Sequence, residues 1–183
     1  ETVLEHGADV LIASRKEENL SKAASEIKEQ TGKTLHWKMM DVRKNETVEE
    51  VTKHIKDKWG YLDVLVNNAA GNFVTPAAAM SENAWRAVID IVLDGTFRVS
   101  KACYSLLRNN EEGSSIVNII ANYAWGAAPF VAHSGAAKAG VLNLTRSLAL
   151  EWSDDNIRVN AMCPGVVLTD NVKKNLMLDE SVV

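Results

Sequence analysis

The feature that most constrains this chain is a repeated switch of hydrophobic period. Five short apolar runs rich in branched side chains occupy 9–14 (DVLIAS), 35–42 (LHWKMMDV), 63–70 (DVLVNNAA), 114–121 (SSIVNIIA) and 156–165 (NIRVNAMCPG). Segments of helical period separate them. Over 16–30, Leu20, Ala23, Ala24 and Ile27 share one face, with Gly32 as a stop; over 47–59, Val48, Val51, Ile55 and Trp59 form a stripe. The spacing predicts two longer helices over 81–109, with Ser81 as N-cap, and 133–152. Strands that are apolar throughout, alternating with helices, predict an α/β fold with a parallel sheet covered on both faces.

Length and charge narrow the class further. The 183 residues suit one domain. A formal net charge of −4, with acids and bases interspersed, offers no basic surface for nucleic acid. No apolar run is long enough to span a bilayer, and the opening residues ETVLEHGADV do not read as a signal peptide. Cys103 and Cys163 sit in apolar contexts and read as two separate thiols rather than a disulfide. No His/Cys/Asp cluster has metal-ligand spacing.

In an open parallel sheet, ligands bind beyond the carboxyl ends of the strands. Arg15 follows the first run, where a guanidinium suits a ribose 2′-phosphate or a solvated helix start. Asp41 and Val42 close the second run; Asp41 either meets an adenine amino group or caps its loop, and Arg43 beside it is placed for a phosphate. The third run ends in NNAAGNF, whose small residues admit a flat ligand. There Asn68 holds a ribose or a neighbouring strand, Asn72 offers an amide, and Phe73 an apolar wall. Lys138 lies among Gly135, Ala136, Ala137, Ala139 and Gly140 at a helix start. Pro164, Gly165 and Val166 form a turn after the last run, either an ordinary one or a cover for a nicotinamide ring. None of the ten glycines falls in a GxGxxG pattern.

In order and spacing, these residues resemble the short-chain dehydrogenase/reductase family: ASRK, Asp41-Val42, NNAAG, DGTF at 94–97, IVNI at 116–119, Lys138, SLALEW at 147–152 and IRVNAMCPG at 157–165. The resemblance implies one domain over 1–183 with a doubly wound, Rossmann-type sheet and a nicotinamide dinucleotide. It also implies that the family's first and last strands lie outside this chain. The strands at 9–14 and 63–70 then have no shared neighbour.

The chain departs from the family at its usual catalytic positions. Ser134 stands where the family places a tyrosine, four residues before Lys138; Ala121 replaces its serine, and Val92 its asparagine. A serine hydroxyl is a poor acid for carbonyl reduction. This set of departures resembles the 2,4-dienoyl-CoA reductase branch, and the related trans-2-enoyl-CoA reductases. That resemblance implies a catalytic group of Tyr123, Asn72 and Lys138. It implies NADP(H) bound by Arg15, Asp41, Val42, Asn68, Lys138, Pro164, Gly165 and Val166. It implies a fatty acyl-CoA substrate met by Arg43, Phe73 and Ser81. It further implies a homo-oligomer and a mitochondrial or peroxisomal setting. Two other readings are a non-catalytic nucleotide-binding relative and a hydrolase using Ser134 with Lys138, which lacks the GxSxG elbow.

Overall fold

The computed structural model describes residues 1–165 and 167. Its elements follow the alternation of the sequence. A short helix α1 (Thr2–Glu5) precedes β1 (Leu11–Ser14), α2 (Glu17–Thr31), β2 (His36–Met39), α3 (Asn45–Trp59) and β3 (Val64–Asn67). Then come α4 (Glu82–Arg108), β4 (Ser114–Ile119), α5 (Ala132–Glu151) and β5 (Ile157–Met162), with single 3-10 turns at Ala77–Ala79, Asn122–Ala124 and Ser153–Asp155. Local signals fix the helix ends. Gly32 closes α2 in the left-handed region at φ 70°, which a residue without Cβ adopts at little cost. Ser81 caps α4 by accepting the Ala84 N–H at 3.1 Å.

The strands form two parallel sheets rather than one. β1 pairs with β2, and β4 lies between β3 and β5. No ladder joins β1 to β3 among the described residues. Strand register separates the two faces of the larger sheet. Leu65, Asn67, Ile116, Asn118, Ile157 and Val159 point to one side, where Val99, Cys103 and Leu107 of α4 and Leu148 of α5 close the core. On the other side Val64, Val66 and Met162 stay more than half exposed. The expectation of two covered faces thus holds for one face among the described residues. On that second side, among the described residues, only the central strand is shielded, with Ser115 buried and Val117 half-buried between its neighbours.

What unites the two sheets is helix packing. Val51 and Ile55 of α3 pack with Leu106 of α4, flanked by Leu11 of β1 and Leu62. At Gly95 of α4 a Cβ would stand 2.8 Å from Val42 Cγ2, so the helix can approach the loop after β2 only because that position has no side chain. Beside it, Arg98 Nη1 donates to the Val42 carbonyl. No helix among the described residues is long and apolar enough to cross a membrane.

Candidate active site

The ends of β3 and β4 and the start of α5 come together. Beneath them lies a buried polar relay. Asn67 Nδ2 donates to Ser100 Oγ at 2.9 Å and to Asn118 Oδ1 at 2.8 Å, and Asn118 Nδ2 donates to Thr145 Oγ1 at 2.9 Å. These four side chains tie β3, β4, α4 and α5 into one unit. Asn68 next door is exposed, so strand tying falls to Asn67, and Asn68 is open to a ligand. The parity of the strands carried this signal: Asn67 and Asn118 are polar residues at inward positions of apolar runs.

On this base stands a group of hydroxyl, amide and amine. Tyr123 follows β4 in the turn Asn122–Ala124, and its hydroxyl meets Ser134 Oγ at 3.2 Å. Ser134 and Lys138 lie one turn apart on α5 and so face the same side. The Lys138 side chain reaches the end of β4, where Nζ donates to the Ile119 carbonyl. Only 7% of Lys138 is exposed, and burial pushes its ammonium down to about 8. Asn72 lies in the loop after β3; its Oδ1 accepts the Phe73 N–H at 2.9 Å. Its Nδ2 is buried with no partner among the described residues. A donor left this way points to a missing acceptor. The Phe73 ring packs on His133 with centroids 4.5 Å apart, and the Thr75 N–H donates to the Phe130 carbonyl at 2.9 Å, joining the two loops.

Sequence reasoning set Ser134 aside as an inadequate acid. The structure instead places it against Tyr123, where it can orient the phenol without being the acid itself. Ser81 spends one lone pair on capping α4 and lines an open recess of about 440 Å³ with Ala77, Met80, Glu82, Trp85, Arg86 and Ala132.

A second group lies at the ends of β1 and β2. The Arg43 guanidinium grips Asp41, with Nε 2.9 Å from Oδ1 and Nη2 on Oδ2. That fork, with the charge of Arg15 as a weaker contribution, holds the Asp41 carboxyl at about 2 against the cost of burial. Arg15 is exposed. Val42 is a core residue whose carbonyl already serves Arg98. Pro164 and Gly165 are exposed after β5, and Val166 lies outside the described residues. For a nicotinamide dinucleotide the residues fit: the exposed Arg15 at one end, and at the other a buried amine and an amide donor with no acceptor among the described residues.

A family model for short chain dehydrogenases matches residues 1–178. The chain belongs to the short-chain dehydrogenase family. Among curated relatives of this short-chain dehydrogenase, a probable 2,4-dienoyl-CoA reductase [(2E)-enoyl-CoA-producing] of Bacillus subtilis is 44% identical over 164 residues, 89% of this chain and 64% of that protein. A peroxisomal 2,4-dienoyl-CoA reductase [(3E)-enoyl-CoA-producing] of Danio rerio is 40% identical over 167 residues, 91% of this chain and 55% of that protein. The chain therefore spans less than two thirds of either relative. The crystal structure of a short chain dehydrogenase from Bacillus anthracis superposes with a TM-score of 0.82 at 43% identity, covering 93% of this chain and 70% of that one.

Proposed function

We propose that the protein carrying this chain reduces a conjugated double bond of a fatty acyl-CoA, a 2,4-dienoyl-CoA, with NADPH. The observation that carries this reading is a half-buried phenol held by a hydroxyl, together with a buried amide nitrogen that has no partner among the described residues. Tyr123 is held by Ser134, and Asn72 Nδ2 is buried with no acceptor among the described residues. A conjugated thioester that accepts a hydride gathers negative charge on its carbonyl oxygen. Donors already aimed at that oxygen stabilise the transition state, each worth roughly 2.7–4 kcal/mol. Tyr123 and Asn72 supply such donors, and the Lys138 cation adds a favourable field.

When bound, the nicotinamide supplies the hydride. Lys138 would orient its ribose, Asp41, Val42 and Asn68 would bind the nucleoside, and Pro164 and Gly165 would cover the ring, with Val166 outside the described residues. Arg15 favours the 2′-phosphate, hence NADPH over NADH. Arg43, Phe73 and Ser81 receive the acyl-CoA. The names of the Bacillus and zebrafish relatives support the substrate class. The word peroxisomal in the zebrafish name supports a peroxisome over a mitochondrion. Phe97 and Leu150, exposed on α4 and α5, support a homo-oligomer.

The test is NADPH oxidation at 340 nm by the intact protein, with a 2,4-dienoyl-CoA and a trans-2-enoyl-CoA compared directly. Turnover of the dienoyl ester is expected. Turnover of the enoyl ester alone would move the protein to the sister activity. Cofactor binding without turnover of either would make it a non-catalytic relative.

A further inference from the structure

The first turn of α5 has no ordinary cap. Val131 at its N-cap makes no side-chain hydrogen bond to the helix, yet the opening N–H groups of a helix need acceptors from outside it. His133 Nδ1 answers one of them, accepting the Ser134 N–H at 2.8 Å. The imidazole is 0% exposed. Its other nitrogen, Nε2, has no conventional hydrogen-bond partner among the described residues. When Nδ1 accepts, the proton of a neutral ring sits on Nε2. Burial favours that neutral form by pushing the ring's pKa down, with the Val131 backbone opposing. The ring stands at 87° to Phe73 with centroids 4.5 Å apart. That edge-to-face packing seats the two rings against each other.

From Phe73 the contacts continue. Its N–H donates to Asn72 Oδ1, which settles the orientation of that amide: the oxygen is spent on backbone, and Nδ2 remains as the available donor. In the other direction, the residue whose N–H His133 receives is the one whose hydroxyl meets Tyr123. One buried ring thus touches the supports of both donors.

We propose that His133 is a positioning residue that couples the two halves of the site, fixing Ser134 against Tyr123 through Nδ1 and the Asn72 amide through Phe73. The inference rests on the acyl-CoA reductase reading above. His133 itself touches neither substrate nor cofactor. A ring that served packing alone would be replaced by phenylalanine without catalytic cost.

The experiment compares His133→Phe and His133→Gln in the intact protein with NADPH, and reads the ring's protonation by 15N NMR of histidine-labelled wild type. His133→Phe keeps an aromatic ring and loses both nitrogens; its kcat should fall on the order of 10–100-fold, the scale of a small misplacement of reacting groups. KM for NADPH should not change, and His133→Gln, which restores an acceptor and a donor, should recover part of kcat. The NMR should show a neutral ring protonated at Nε2. Wild-type kcat in His133→Phe would overturn the inference. So would a ring protonated at Nδ1, donating to Val131, or an imidazolium. Failure of the reductase reading shows separately, as a wild type without turnover, and the NMR still decides the role of His133. If His133→Phe does not fold, the NMR result again decides.

Discussion

The three-stranded sheet seals its inner face, with Ile116 and Asn118 at 0% exposure and Ile157 at 1%, whereas neither β1 nor β2 contains a buried residue. The difference matches the chemistry proposed for each sheet. The donors proposed for one oxygen must keep their positions to within a fraction of an ångström, and they stand at the ends of the strands that Asn67, Asn118 and Thr145 tie together. On the proposed function, Arg15 would meet phosphate through a long, exposed side chain that tolerates an open setting. The two halves communicate through Val42, wedged against Gly95 and held by Arg98.

Substitutions in the two sheets should separate these standards. Ile116→Ala, in the sealed core, should lower stability by about 2–5 kcal/mol. Leu11→Ala in half-buried β1 should cost less than half as much in the same denaturant titration; equal losses would break the distinction. Next in size is the junction. Gly95→Ala places a methyl against Val42 and should cost about 1–3 kcal/mol. Because Val42 adjoins Asp41 and Arg43, the same variant should weaken NADPH binding in a fluorescence titration, while Leu11→Ala should not. Smaller still is Arg98→Met, which strands the Val42 carbonyl without its donor and should cost about 1–2 kcal/mol.

Lys138 provides a test by pH. Its ammonium titrates at about 8 in the folded chain against an ordinary 10.5. Between those values the unfolded chain binds more protons, so stability should rise with pH over that window. Turnover should fall as pH rises through about 8, where the folded chain loses the cation. Opposed trends in Tm and kcat are the expected outcome, and Lys138→Met should flatten the rise in Tm.

The element order was legible because its signals are local: the stripe Val48, Val51, Ile55, the cap at Ser81, the stop at Gly32. The candidate site was legible as strand ends and one lysine, and through resemblance as Tyr123 and Asn72. What escaped the sequence depends on distant pairs. Asn67 meets Asn118 across 51 positions, and Val42 meets Arg98 across 56; no spacing rule reaches that far. Ser134 was judged as an acid, since its sequence context shows its neighbours on the helix but not the phenol above it. The sequence carries no signal for His133, whose role rests on its burial and its bond to Ser134.

The most direct measurement is a single-turnover rate for Tyr123→Phe in the intact protein, with saturating NADPH and a 2,4-dienoyl-CoA. The account predicts unchanged NADPH affinity and a hydride-transfer rate lower by about 100–1,000-fold, the loss of one oxygen-directed donor. A rate equal to wild type would contradict it, because the phenol held by Ser134 would then have no part in stabilising the charge.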